Sequence, residues 1–291
     1  MYNHTQYTDH ILPLMLKLIY VRTSCGKECS RSMLMQERPQ RPTISVIIPA
    51  WNEGGNLPFV LPHIPSIVSE VVLVDGHSID DTIVVARQLL PSIRIVKQEG
   101  KGKGDAIRAG IAASTGDIIV MLDADGSADP NEMPNFVAAL MAGNDFAKGS
   151  RFAKGGGSHD LTLIRSVGNY GLSKLVNLLF QASFSDLCYG YNAFWKHCFD
   201  HVEIDSDGFE IETMITIRMH QAQFKIVEVP SFEHSRIYGA SNLHTFKDGW
   251  RVLKTIVRER RRKASTPLHL AHISATFDVQ GQSSTPEEEV Q

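Results

Sequence analysis

The sequence predicts an α/β fold, a mostly parallel sheet flanked by helices, and three observations carry the prediction. Short β-branched apolar runs alternate with helix-length segments through the first half of the patterned region. The runs are apolar throughout, as strands buried on both faces are, rather than alternating as half-exposed strands do. They break off in polar, acidic or glycine-rich stretches, which is where an open α/β sheet binds its ligands, beyond the carboxyl ends of its strands.

The elements follow in order. "ISVIIP" (residues 44–49) is the first strand and "EVVLVD" (70–75) the second. "SIRIV" (92–96) is a short third, and "DIIVML" (117–122) a fourth. Between them, "DDTIVVARQLL" opens on acids, as the first turn of a helix prefers. "GDAIRAGIAAST" sets Ile107, Ile111 and Ala112 on one face and is closed by Gly116. The strand ends "PAWNEGG", "DGHS" and "DADG" therefore share one edge of one sheet, with Asp75, Asp123 and Asp125 along it. "KQEGKGKGD" (97–105) reaches the same edge. Its glycines free the backbone for close approach to a ligand, and Lys101 and Lys103 can neutralise phosphate.

At 291 residues the chain has room for one large domain or two small ones. The reading is a single domain. Residues 1–42 are an extension ending in the linker "QERPQRPT", and 43–245 are the domain. Residues 246–263 are a basic amphipathic helix, and 264–291 a disordered tail rich in Ser, Thr, Gln and Glu. A net charge of −3 carries no basic footprint for nucleic acid. Four cysteines are too few for a disulfide scaffold, and Cys25 and Cys29, spaced CxxxC, lack a second pair to complete a zinc site. All four read as reduced thiols of a cytoplasmic protein. No run approaches the ~20 apolar residues that cross a bilayer. "ILPLMLKLIYV" (11–21) carries Lys17 and no small-residue cleavage site, so it reads as a helix packed on the domain.

Asp123 and Asp125 pose the chemical question. Two carboxylates one residue apart at a strand end repel each other unless a cation lies between them. Hard oxygen ligands suit Mg²⁺ or Mn²⁺, and such ions often bind through one or two carboxylates plus a substrate's phosphates. Beside glycine-rich loops and lysines, this points to a nucleotide diphosphate.

With these residues in view, the chain resembles family 2 glycosyltransferases of the Rossmann-like GT-A fold. It is most similar to the branch of dolichol-phosphate mannose synthase and related polyprenyl-phosphate sugar synthases. The stretches that carry the likeness are "SVIIPAWNEGGNL", "EVVLVDGHSIDDT", "GKGKGDAIRAGIAASTGDIIVMLDADGSADP", "AKGSRF", "RSVGNYGLSKLVNLLF", "DLCYGYNAF" and "SRIYGASNL", in order over residues 44–245. The resemblance implies a nucleotide-sugar donor seated by Pro49, Ala50, Asn52, Glu53, Asp75, Lys103, Gly104, Asp123 and Ala124. It implies Mg²⁺ or Mn²⁺ held by Asp123 and Asp125, with Ser127 where the mannose synthases often carry a metal-assisting Gln. Arg151, Arg165 and Arg236 match arginines that face donor or acceptor phosphates, and an arginine's planar fork suits them. The base is open between GDP and UDP, because the usual second acid after the second strand is Gly76 here.

The resemblance implies a polyprenyl-phosphate acceptor and direct displacement with inversion. A phosphate acceptor needs no general base. A hydroxyl acceptor, such as a soluble or cell-wall glycan, needs one, and of Glu210 and Glu212 in "GFEIETM" the reading selects Glu210, since residues two apart on a helix diverge. The loop "AKGGGSH" (153–159) is expected to be mobile and able to close over the donor. In "FKDGWRVLKTIVRERRRK" (246–263), Phe246, Trp250, Leu253 and Val257 recur at helical spacing with basic residues after them. The helix suits either an anionic membrane surface or packing on the domain. Ser241-Asn242 stands where the mannose synthases often show Ser-Lys. A non-catalytic sugar-nucleotide-binding protein is the reading from another class. A nucleotidyltransferase lacks support, because "AWNEGG" replaces its Gly-rich, Arg- and Lys-bearing loop.

Overall fold

The computed structural model describes residues 38–240 and 243–262. The readings of Cys25 and Cys29, of residues 11–21, of Ser241-Asn242 and of the 264–291 tail fall outside these residues. The central sheet has seven strands in the order β3-β2-β1-β4-β7-β5-β8. Its first half is the predicted parallel set: β1 (Ile44–Ala50) lies between β2 (Glu70–Asp75) and β4 (Ile118–Met121), and β3 (Arg94–Lys97) borders β2. These are the apolar runs, and their interior positions are buried: Val46, Ile47, Ile48, Val72, Leu73, Ile118, Ile119 and Val120 are at 0% exposure. Strand register brings Ala50 beside Asp75 and Asp75 beside Lys97, so the three strands end together. Helices α1 (Thr82–Leu89) and α2 (Lys103–Ala113) form the predicted crossovers.

The second half of the sheet has weaker signals in the sequence. β5 (Phe146–Ser150) is "FAKGS", whose Lys148 and Gly149 interrupt the apolar run. It pairs antiparallel with β7 (Asn192–Trp195) and parallel with β8 (Ile226–Pro230). β7 is also antiparallel to β4, so the sheet is mixed at this point. Lys148 is fully buried, and burial pushes its ammonium pKa down against the opposing charges of Asp186 and Glu228. α3 (Met133–Met141) covers this part of the sheet through Met133, Phe136 and Leu140.

Beyond the sheet, α4 (Leu163–Phe180), α5 (Ile211–Gln221) and α6 (Thr245–Arg261) pack on one another. Their shared core is small: Val176, Phe184, Leu187, Ile217, Val252 and Ile256. α6 packs through Val252 and Ile256, while Phe246, Trp250 and Val257 are exposed. The apolar stripe legible in the sequence is thus the outward face of this helix. A buried ion pair, Arg218 with Glu259 at 2.8 Å, ties α5 to α6. The 153–159 loop is partly anchored: β6 (Gly157–Ser158) pairs in parallel with β9 (Phe232–Glu233).

Candidate active site

The carboxyl edge of the parallel strands forms the floor of a cavity of about 520 Å³. Pro49 and Ala50 at the end of β1 line it, as do Glu53, Lys101, Lys103, Asp123, Ala124, Asp125 and Arg236. A second cavity, of about 200 Å³, lies between α4 and α6. Lys103, Asp123, Asp125, Phe209 and Arg236 line both, so the two acids stand at the junction of the two spaces.

Each of the two acids has its own side-chain cation in this structure, Lys103 at Asp123 and Arg236 at Asp125, and neither cation bridges the pair. Lys103 Nζ lies 2.6 Å from Asp123 Oδ1 and 2.8 Å from Glu212 Oε1. Burial by itself would lower the Lys103 pKa, but the carboxylates of Asp123 and Glu212 outweigh it and hold the ammonium charged well above its usual range. Arg236 Nη1 lies 3.4 Å from Asp125 Oδ2, a long contact, while its Nη2 holds both oxygens of Glu53 at 2.6 and 2.7 Å. Glu53 is buried; desolvation raises its pKa, and Arg236 and Asn56 pull against that. Asp125 also caps its own turn, accepting from Ser127 N–H at 3.0 Å.

The donor set fits a hard divalent ion. Asp123 and Asp125 keep side-chain exposures of 34% and 25% toward the cavities, enough for a carboxylate oxygen each to reach an ion. Among the described residues no group of three His, Cys, Asp or Glu side chains converges. An ion here therefore takes its remaining positions from water and the ligand's phosphates, which is how Mg²⁺ is commonly held. Ser127 lines the smaller cavity beside Asp125.

Other predicted residues take different places. Asp75 is buried beneath the larger cavity and accepts from Ser78 N–H at 3.2 Å, shaping the turn rather than lining the space. Asn52 sits in left-handed backbone at φ 56° and accepts from Ile79 N–H through Oδ1, a second brace for the same turn. Gly104 does not face the ligand space either. Its N–H donates to the Asp207 carbonyl at 2.9 Å, and a methyl group added at its Cα would overlap the Ser206 carbonyl. Its glycine is needed for packing α2 against the 206–208 loop. Gly104→Ala is expected to destabilise the fold by about 3 kcal/mol, as overpacking against backbone does, read as a lower denaturant midpoint with an unchanged slope.

The arginines divide. Arg151 is deeply buried and its fork is committed: Nε and Nη2 hold Asp186 at 2.7 and 3.0 Å, and Nη1 holds Glu233 at 3.1 Å. It also lies over the Tyr189 ring, 4.8 Å from the centroid. Little of its donor capacity is left for a phosphate, so it fixes the cavity wall. Arg165, which lines the smaller cavity, is held by three long contacts, 3.3 Å to Asp160, 3.4 Å to Thr245 Oγ1 and 3.4 Å to the Leu243 carbonyl.

Of the two glutamates the structure brings Glu212 to the cavity, not Glu210. Glu210 precedes α5 at its N-cap position without a side-chain capping bond, accepts from Gly208 N–H at 3.3 Å, lies 3.6 Å from Arg251 and lines neither space. Glu212 is buried on the first turn of α5, and desolvation raises its pKa against the pull of Lys103. The spacing implied that at most one of the pair faces the cavity, and the choice of Glu210 is not the residue that the structure brings to it. Trp51, His77, Gln98 and Phe209 also line the larger cavity. Trp51 stands inside the recognised strand-end turn and Phe209 inside "GFEIETM", so adjacency was the available signal. Cys188 lines the smaller cavity, but burial, with Asp186 nearby, pushes its thiol up to about 12, and it is no nucleophile.

An acid pair that fits a metal stands at the carboxyl edge of an α/β sheet, beside a roomy cavity. The family model described as Glycosyl transferase family 2 matches residues 45–202, and the chain belongs to that family of glycosyltransferases. Glycosyltransferase AglJ of Haloferax volcanii is 28% identical over 79% of this chain and 75% of its own. A dolichol-phosphate mannosyltransferase of Pyrococcus furiosus is 31% identical over 69% of this chain, which spans only 59% of that protein's length. Glucosyl-3-phosphoglycerate synthase from Mycobacterium tuberculosis, solved with Mn²⁺, UDP and phosphoglyceric acid, superposes with a TM-score of 0.61 at 21% identity, over 77% of this chain and 80% of that one. At that identity the likeness shows the fold, a mixed α/β sheet of the GT-A kind. Among the described residues no helix is long and apolar enough to cross a membrane.

Proposed function

We propose that this glycosyltransferase moves a sugar from a nucleotide-diphosphate donor, of the GDP-mannose or UDP-glucose type, to a polyprenyl phosphate, with Mg²⁺ or Mn²⁺ at Asp123 and Asp125. The observation that supports it most is the junction: one cavity suited to a nucleotide and a second, partly apolar one meet at the acid pair. The likeness to a dolichol-phosphate mannosyltransferase points to the same acceptor class.

The residues divide the work. Pro49, Ala50 and Glu53 with Lys101 border the donor space, and Asp123 and Asp125 would hold the ion. Bound there, the ion supplies charge stabilisation for the departing diphosphate. Arg236, already anchored by Glu53, faces both cavities and can follow the diphosphate charge. An acceptor phosphate oxygen attacks the anomeric carbon from the α4–α6 side. The bond from that carbon to the diphosphate oxygen breaks, its electron pair leaves with the nucleotide, and the anomeric configuration inverts. No proton has to be taken from the acceptor, so catalysis rests on positioning and electrostatics.

The outer surface supports a lipid acceptor. Leu163 is 80% exposed and Phe246 is 83% exposed, with Val167, Tyr170 and Trp250 also open to solvent on the same helix pair. Arg258, Arg260 and Arg261 follow in the last turn of α6. Apolar and basic groups together suit peripheral contact with an anionic membrane, on its cytoplasmic face.

Glu212 in the cavity favours a second reading, transfer to a hydroxyl with Glu212 as the base. The two readings differ in one variant. With a phosphate acceptor, Glu212→Gln is expected to keep transfer within about tenfold; a hydroxyl acceptor makes the loss about 10²–10⁴-fold. The function is tested by incubating the protein and Mn²⁺ with a panel of sugar nucleotides and a polyprenyl phosphate. A lipid-linked sugar of inverted configuration supports the proposal. Transfer only to glycan hydroxyls refutes its acceptor.

A further inference from the structure

Three glycines stand inside long helices, where glycine is unfavourable relative to alanine. Gly168 and Gly171 lie on α4 and Gly249 on α6. Close packing does not require them, since an added methyl group meets no atom within 4 Å at any of the three. Gly168 and Gly249 line the smaller cavity from its two sides, and Gly171 does not. Ile164, Leu172 and Val252 belong to the apolar part of its wall, as do Leu161 and Leu243.

An independent observation lies one residue away. Asn169 is 4% exposed and lines the same cavity. Its Oδ1 accepts from Leu187 N–H at 3.2 Å and Cys188 N–H at 3.1 Å, which fixes the orientation of the amide. Its Nδ2 has no partner. An unsatisfied buried donor is unfavourable, and a ligand acceptor atom would relieve the penalty. Arg165, with its loose contacts, stands one turn before it.

Resting on the lipid-phosphate reading, we infer that Gly168 and Gly249 open the passage for the acceptor's hydrocarbon chain, and that Asn169 is a positioning residue donating from Nδ2 to the acceptor phosphate. The polar end of the cavity, with Asn169, Arg165 and Arg236, takes the head group. The apolar end, kept open by the absence of two side chains, leads the chain toward the exposed faces of α4 and α6. Asp160, Glu233 and Asp248 also line the space, but each faces a donor of its own, in Arg165, Arg151 and His244 N–H, so the free Asn169 donor and the apolar wall suit one occupant, a prenyl chain carrying a terminal phosphate.

The test uses the full chain with a long polyprenyl phosphate and isopentenyl phosphate as alternative acceptors. Gly168→Leu and Gly249→Leu are expected to lower the preference for the long acceptor at least tenfold. Gly171→Leu, on the same helix but off the cavity, leaves that preference unchanged. Asn169→Asp keeps the Oδ1 acceptor and replaces the donor with a negative charge. It is expected to raise the acceptor KM at least tenfold while the donor Kd stays within twofold; a purely structural role would lower Tm and leave that KM unmoved. An unchanged chain-length preference in both glycine variants overturns the passage, and an unchanged acceptor KM in Asn169→Asp overturns the head-group contact. If the unaltered protein uses no prenyl phosphate at all, the lipid reading itself fails and the inference with it.

Discussion

Asp125→Ala is expected to lower the rate of sugar transfer by about 10²–10³-fold, the scale seen when one charge-stabilising group is removed from a preorganised site. The reason is local. Asp125 is one of two carboxylates at the junction of both cavities, and without it an ion there keeps Asp123 alone, whose oxygens already carry Lys103. Stability should change little. Asp125 is partly exposed, its contact with Arg236 is long, and Arg236 stays anchored on Glu53. The variant should melt within a few degrees of the unaltered protein while losing transfer, and single-turnover assays beside thermal melts check this. A variant that loses fold and activity together would place Asp125 in the scaffold instead.

Arg151→Ala is expected to do the opposite, destabilising the fold by about 3–5 kcal/mol, as removal of one partner from a buried ion pair does. Asp186 is left with a fully buried carboxylate whose remaining positive neighbour is Lys148. In the intact protein, burial would raise the Asp186 pKa, but the Arg151 hydrogen bonds and charge override it and hold the carboxyl below the usual range. The sign of the pH dependence follows. A carboxylate with a depressed folded pKa adds stability that is complete above its unfolded pKa, near 3.9 for Asp, and lost as pH falls through the folded value. The Tm gap between the two proteins should therefore be wide at neutral pH and narrow as pH falls below about 4. Arg151→Lys should recover only part of it, because an ammonium cannot hold Asp186 and Glu233 with a fork. A gap independent of pH would remove Asp186 from the explanation.

These two variants separate what the sequence revealed from what it concealed. "ISVIIP", "EVVLVD" and "DIIVML" were legible as parallel strands because both faces are buried and the runs are uniformly apolar. Asp123 and Asp125 were legible because a strand ending in two acids needs a counter-charge. The second half of the sheet was concealed by its polar contents. Lys148 and Asn192 lie inside strands β5 and β7; Lys148 answers to the charges of Asp186 and Glu228, far along the chain, and Asn192 Nδ2 donates to the Tyr189 carbonyl while its Oδ1 has no partner, arrangements that no hydrophobic pattern discloses. Arg151 was marked by its motif, but its commitment to Asp186 and Glu233 depends on residues 35 and 82 positions away. The choice between Glu210 and Glu212 turned on where α5 begins: Glu210 precedes the helix at its N-cap position, and Glu212 falls on the first inward turn. Asn169 gave no signal, because an unpartnered amide is visible only when its surroundings are.

The account depends on a donor's diphosphate being held through a divalent ion at Asp123 and Asp125. Titration calorimetry of the full chain with UDP- and GDP-sugars, in Mn²⁺ and again in excess chelator, tests that directly. The expected result is saturable binding of a donor in Mn²⁺ that weakens at least tenfold on chelation and is abolished in Asp125→Ala. Equal affinity with and without the ion, or no donor binding in either condition, would contradict it.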